Sequence, residues 1–341
     1  MERLKKLFII SLIISIIVLV LVTVFTIGPD TLPTLQRMEP VYLLAAAALH
    51  VVSYFIWGLR MKVMTEALGH RIGVKDATEI VIANLFAASV TPSMAGGEPV
   101  RIHMLNRNAN VPVGDASAVV IGERILDALL LLIATPFALW VLSGSLISRE
   151  MDLAIIGAEL FVLLMVFVAI GGLLNPTFID WLSSLISRGL HRVGRFDRTE
   201  HLIQFIDKEL LNFHNSLWAF MRTGKQGLFF GCICTMIYWI VEFMVLPLIL
   251  LGLNQPPSIT VAMAVQVFLT FIMIVPVTPG ASGIAELGGA ALFGILVPVS
   301  ILGIVVAAWR LITYYLNLVI GGAVSVKILK DVDILSEWNS K

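Results

Sequence analysis

Charge is what this sequence has least of. Of its 341 residues, 13% are Asp, Glu, Lys or Arg, while 58% are hydrophobic. A soluble chain of this length could not cover so much apolar surface, so the composition excludes a water-soluble fold and implies a polytopic membrane protein. The few charges balance, 23 basic against 23 acidic, which removes any overall bias toward nucleic acid. Cysteine is nearly missing. Cys232 and Cys234 stand two apart in an apolar run, a poor spacing for a disulfide on a helix and too few ligands for a metal. The six histidines do not cluster at ligand spacing, and no nucleotide-binding motif is present. No metal, cofactor or nucleotide-driven pump is therefore expected.

The charges that remain fall between apolar runs and report topology. Arg3, Lys5 and Lys6 precede an apolar run at residues 7–27, which is too long for a signal-peptide core and lacks a cleavage pattern. It reads as a retained first helix with a cytoplasmic N-terminus, by the positive-inside rule. Residues 41–59 return inside, followed by Arg60, Lys62, Arg71 and Lys75. Residues 77–97 are apolar but rich in Ala, Ser and Thr. The basic residues Arg101 and Arg107 stay inside only if this segment dips into the bilayer and turns back. Residues 116–142 span outward, 153–174 return, and the basic stretch 175–224 lies in the cytoplasm.

Within that stretch Leu202, Ile206, Leu210, Phe213, Leu217 and Phe220 recur at helical spacing. The helix they predict would lie on the inner membrane surface or cap the ends of the bundle. Residues 227–251 span outward and 301–326 return to Lys327 and Lys330 inside. No Lys or Arg occurs in residues 258–297. Parity alone places that stretch, and it requires a second re-entrant hairpin, entered from outside. The expectation is a single all-α membrane domain, residues 1–341, with six spanning helices and two re-entrant hairpins. Residues 7–142 and 153–326 would be inverted-topology repeats, with both termini cytoplasmic.

Each hairpin carries one copy of a motif. Thr91-Pro92-Ser93-Met94-Ala95-Gly96-Gly97-Glu98 and Thr278-Pro279-Gly280-Ala281-Ser282-Gly283-Ile284-Ala285-Glu286 both read Thr-Pro, three residues, Gly, then Glu. Pro92 and Pro279 break the helix, and Gly96, Gly97, Gly280 and Gly283 permit tight turns and close backbone approach. Each motif is followed by an arginine at matched distance: Arg124 lies 32 residues after Pro92, and Arg310 lies 31 after Pro279. The pairs Glu98–Arg124 and Glu286–Arg310 follow, facing one polar cavity.

An ionisable group at membrane depth costs roughly 2.5–3.5 kcal/mol on insertion scales, so such groups face a cavity or pair with one another. Taken as structure, these pairs fix the hairpins. Taken as function, the arginines attract an anionic head group while Glu98 and Glu286 act as gates or proton carriers. Glu123 and Asp127 share a helix face with Arg124, and Asp127 is placed to hold it. Arg101 receives a lipid phosphate or serves as an ordinary inside charge. Glu242, near Tyr238 and Trp239, faces the same cavity, and His50 bonds to a neighbouring helix.

The order and spacing of these motifs resemble the lysylphosphatidylglycerol synthase transmembrane-region family, also called UPF0104 membrane proteins, over residues 5–330. On the family pattern the motif positions are Pro92, Gly96, Glu98, Arg101, Glu123, Arg124, Pro279, Gly283, Glu286 and Arg310. The resemblance implies a lipid-flippase-like domain. Only about fifteen residues follow the last helix, so the aminoacyl-transferring domain of the best-understood members is not expected here. The reading is translocation of a phospholipid or polyisoprenyl-linked lipid, with membrane lipids as partners, no nucleic acid, and compatibility with a homo-oligomer. The rivals are a non-enzymatic membrane partner of a lipid- or glycan-modifying system and an intramembrane lipid-modifying enzyme. The latter lacks a nucleophile–base pair in the sequence.

Overall fold

A computed structural model describes residues 2–91, 96–142, 224–274 and 280–325, with scattered positions between 157 and 222 that include 214–216 and 218–220. Among these residues every regular element is helical. The elements are α1 (Glu2–Thr26), α2 (Thr31–Gln36), α3 (Pro40–Ala67), α4 (Val74–Val90), α5 (Gly97–Ala109) and α6 (Val113–Leu142). They continue as α7 (Lys225–Phe243), α8 (Val245–Gly252), α9 (Ile259–Ile274), α10 (Ile284–Phe293) and α11 (Val299–Arg310). A π-helical turn, Leu311–Tyr315, extends α11. Four stretches are long and apolar enough to cross a membrane: Pro40–Ala67, Val113–Leu142, Lys225–Gly252 and Val299–Ser325. The expected span at 153–174, most of the stretch 175–224, Pro92 and Pro279 lie outside the described residues.

Local sequence explains the breaks. Pro40 opens α3, a position where its missing N–H costs nothing. Asn110 ends α5 in the left-handed conformation, at φ 52°. The second expected span is longer than its charges suggested, since α3 continues through Arg60 to Ala67. The end of the 175–224 stretch packs onto the bundle. Phe220 is buried with Met64 and Met61, and Ser216 donates to Asp115 at 2.5 Å.

Helices in lipid gain nothing from hiding apolar surface from one another, so close fit does the holding. Gly303 is a clear case. A Cβ there would stand 2.6 Å from the Thr23 Cα, so only glycine lets α11 lie against α1. Its N–H also donates to Thr26 Oγ1 at 3.1 Å. Large apolar side chains remain on the outer face, including Ile133, Phe137 and Trp140 of α6 and Phe229, Phe230 and Ile237 of α7. That belt suits acyl chains.

The core has two main parts. One gathers Trp57, Met61 and Met64 of α3, Ile80 of α4, Leu105 of α5 and Val119 and Val120 of α6. The other gathers Leu131 and Leu142 of α6 with Leu246, Phe268, Phe293 and Trp309. Polar side chains lie where the two meet. On α3, Ala46 of one core and Trp57 of the other bracket His50, Ser53 and Tyr54. On α6, Val120 and Leu131 bracket Glu123, Arg124 and Asp127.

A helix–break–helix unit occurs twice, as α4–α5 and α9–α10, with each pair packed side by side. The two breaks meet: the Gly280 N–H donates to the Thr91 carbonyl at 3.3 Å. Gly280 and Gly283 have φ of +60° and +88°, open to glycine and strained for most residues. Gly96 and Gly97 work differently. Gly96 has an ordinary φ of −75°, and a Cβ there would crowd the Thr91 side chain, while one on Gly97 would crowd Asn84. In the first unit glycine supplies close approach, and in the second it supplies backbone conformation.

A candidate polar site of paired arginines and carboxylates

Both expected ion pairs form. Glu98 stands in the first turn of α5, where a carboxylate complements the helix dipole. It accepts from Arg124 Nε at 2.9 Å, and the pair is about one-third to one-half exposed. Glu286 stands in the first turn of α10 and accepts from Arg310 Nε at 2.8 Å, fully buried. Glu286 is the more deeply committed of the two. Its Oε2 takes the Gly283 N–H at 2.6 Å, closing the start of its own helix. Its Oε1 also accepts from Ser15 of α1 at 2.5 Å, and Ser15 lies 3.0 Å from the Tyr315 hydroxyl.

No hydrogen bond or ion pair among the described residues joins Glu98–Arg124 to Glu286–Arg310. Each carboxylate stands in the first turn of the helix that follows its break. Each is met there by the arginine of the next helix.

The Arg124 side gathers more charge than the sequence reading assigned. Arg60, taken there as a cytoplasmic topology charge, is wholly buried. Its Nη1 donates to Asp127 at 2.6 Å and to Thr235 at 3.1 Å, its Nη2 to Asp127 at 3.3 Å, and its Nε to Glu123 at 3.2 Å. Asp127 is held by Arg60 and by the Trp239 N–H at 2.9 Å. The expected partner, Arg124, stands off at 3.6 Å. The missed clue is length. An apolar run continuing past Arg60 through Met61 and Met64 places the guanidinium inside the helix, not after it.

Arg101 completes the group. It is wholly buried, while His103 and Arg107 on the same helix are exposed. Its Nη2 pairs with Glu123, but its Nε and Nη1 make no hydrogen bond among the described residues. Arg310 also leaves one nitrogen, Nη2, unbonded. Arg60, Arg101 and Arg124 all approach the Trp57 ring, at 5.5, 5.2 and 5.6 Å from its centre. The ring face is attractive to cations and lets three guanidinium groups gather with less mutual cost.

Glu242 belongs to a third cluster. His50 Nδ1 lies 2.9 and 3.1 Å from its two oxygens, and His50 Nε2 lies 3.1 Å from Asn317 Oδ1. The expected bond from His50 to a neighbouring helix is thus present twice. No group of three or more His, Cys, Asp or Glu able to hold a metal occurs among the described residues.

Comparison with known proteins places this arrangement. Residues 8–321 match the family described as the lysylphosphatidylglycerol synthase TM region. A UPF0104 membrane protein of Archaeoglobus fulgidus is 32% identical over 317 residues, covering 93% of this chain and 95% of that one. A second, from Methanocaldococcus jannaschii, is 26% identical and covers 95% and 96%. A Haloferax volcanii protein named glycosyltransferase AglD is 24% identical over 85% of this chain, which corresponds to 49% of its own length.

Proposed function

Because the chain belongs to the lysylphosphatidylglycerol synthase transmembrane-region family, we propose that it moves a lipid with an anionic head group across the membrane. The observation that carries this reading is Arg101. A buried guanidinium with two nitrogens, Nε and Nη1, unbonded among the described residues is costly, and each unsatisfied group forfeits about 1–3 kcal/mol. Phosphate oxygens would satisfy both, since the planar fork of arginine fits phosphate in a bidentate manner. Arg124 and Arg60 beside it would share the added charge. The acyl or isoprenyl chains would stay against the apolar outer belt while the head group passes the polar layer between the two cores.

Alternating access would come from one repeat rocking on the other, as in transporters built from inverted repeats. The duplicated helix–break–helix units support such a repeat. On this reading the chain has six spans, the hairpin α4–α5 enters from the cytoplasm, α9–α10 enters from outside, and both termini are cytoplasmic. In a background with Cys232 and Cys234 replaced by serine, Asn106→Cys should react with a membrane-impermeant maleimide only from the inside. Ser258→Cys should react only from the outside. Labelling of both from one face would end the inverted arrangement.

The transport reading is tested in phosphatidylcholine vesicles containing a trace of fluorescent phosphatidylglycerol, with an added quencher reporting the exposed leaflet. Purified protein should make the inner pool accessible. Arg101→Gln should slow this about tenfold, the effect of losing one charge-assisted contact. Arg101→Lys, which keeps the charge and loses the fork, should fall between. Equal rates in both variants, with melting unchanged, would remove Arg101 from the path.

One observation favours a second reading. The relative named a glycosyltransferase carries a similar membrane region in about half of its length. This domain would then hold a lipid-linked substrate for a glycan-transferring partner without moving it. Vesicles would distinguish the two, since that role predicts binding of the labelled lipid with no change in leaflet access.

A further inference from the structure

His50 and Glu242 are bonded in a way that fixes how many protons they hold. Asn317 donates its amide Nδ2 to the Thr313 carbonyl at 2.6 Å. Its Oδ1 therefore faces His50 Nε2 at 3.1 Å and also accepts from the Tyr54 hydroxyl. An amide oxygen only accepts, so His50 Nε2 carries a hydrogen. On the other side, Nδ1 faces both Glu242 oxygens at 2.9 and 3.1 Å. An ionised carboxylate also only accepts, so this contact needs a hydrogen on Nδ1 or on the carboxyl. The pair thus holds one proton more than a neutral imidazole opposite a carboxylate.

The surroundings suit a proton that comes and goes. Ser53 Oγ lies 2.7 Å from the His50 carbonyl and also bonds Glu242. Its single hydrogen turns to the carboxylate when that is ionised and to the carbonyl when it is protonated, so neither state is left unsatisfied. Among the described residues His50 is the one cation-forming group paired with Glu242. Among the described residues the other titratable groups that feel the Glu242 charge are Tyr54 on α3 and Tyr238 on α7. Neither α8 nor residues 316–325 carries an ionisable side chain. On α6, Asp127 already serves Arg60. The Glu242 side chain keeps 14% exposure, while His50 is buried.

We propose that His50 and Glu242 form the proton-binding site of this protein, and that its exchange drives the lipid movement proposed above, on which this second clause rests. The geometry joins the halves of the chain, with His50 on α3 and both partners on later helices. Removing the shared proton leaves the Nδ1 lone pair against a carboxylate, which repels and loosens α3 from α7. Asn317 lies just beyond the π-helical turn that begins after Arg310. Such turns break the regular ladder of an α-helix and frequently mark functional sites. A register change there would shift Asn317 relative to Arg310. Glu98 and Glu286, the carriers the sequence pointed to, are instead each occupied by a guanidinium.

Two measurements decide this separately from the lipid reading. Protein labelled with nitrogen-15 histidine, in nanodiscs, reports the protonation of each ring nitrogen, with His50→Gln identifying the signal. Infrared spectra report a protonated carboxyl through its loss in Glu242→Gln. The expected result is either two N–H groups on His50 or a protonated Glu242, lost as the pH is raised. A neutral imidazole facing an ionised Glu242 throughout would overturn the site. In the vesicle assay a pH gradient should change the lipid rate severalfold in the wild type and not in His50→Gln or Glu242→Gln. A wild-type lipid rate indifferent to the gradient would overturn the coupling and leave the site standing. Absence of any lipid movement would remove the transport reading and, with it, the coupling.

Discussion

Arg60→Met should be among the most damaging single substitutions in this protein. Arg60 is wholly buried and satisfies two carboxylates at once. Methionine keeps much of the volume and is at home among Trp57, Met61 and Met64, so lost packing is not the issue. Asp127 is left with the Trp239 N–H and an arginine 3.6 Å away. Stranding one partner of a buried ion pair costs about 3–5 kcal/mol. Purified in detergent, the variant should melt about 10 °C lower, or elute as aggregate. Asp127→Asn in the same background should recover part of the loss, because a neutral amide needs no cation. Full stability of the single variant would mean that water, not Arg60, compensates Asp127.

The second large effect is an inequality. Glu98 and Glu286 occupy corresponding places in the two motifs, yet their replacements by alanine should not behave alike. Glu286→Ala removes the cap on α10, the link from Ser15 of α1 and the partner of a buried guanidinium. A loss of about 3–5 kcal/mol and a clear fall in melting temperature are expected. Glu98→Ala breaks a pair that is one-third to one-half exposed, and an exposed pair is worth about 0.2–1 kcal/mol. Its effect should appear in the vesicle assay instead, through an Arg124 freed to meet the lipid. Equal melting temperatures for the two variants would contradict the burial difference that separates the halves.

Much of this was legible beforehand, for reasons that particular residues make plain. The pairing of Glu98 with Arg124 and of Glu286 with Arg310 could be read because insertion energetics leave an ionisable group few options, and the spacing matched in both halves. The helix breaks could be read because glycine and proline act locally. Arg60 could not be read as buried. A positive charge at the end of an apolar run has the same sequence appearance whether the helix stops there or continues another two turns. The binding of His50 to both Glu242 and Asn317 was also hidden, since it joins positions 192 and 267 residues away along the chain. That no bond among the described residues joins the two ion pairs depends on which helices pack together, and pairwise spacing carries no information about that.

The bond from the Gly280 N–H to the Thr91 carbonyl is made of main-chain atoms only. It therefore records no pairing of side chains: position 91 can change as long as the backbone can still arrive there, while position 280 has to stay without a Cβ. A comparison of the two halves letter by letter would pass over this joint, because no particular pair of side chains records it. Its trace is indirect, in the positive φ at Gly280 and in the Ser89 carbonyl that leaves no space for a Cβ. The meeting of the two breaks is thus recorded as permission for the backbone to come close, and not as an attraction between side chains.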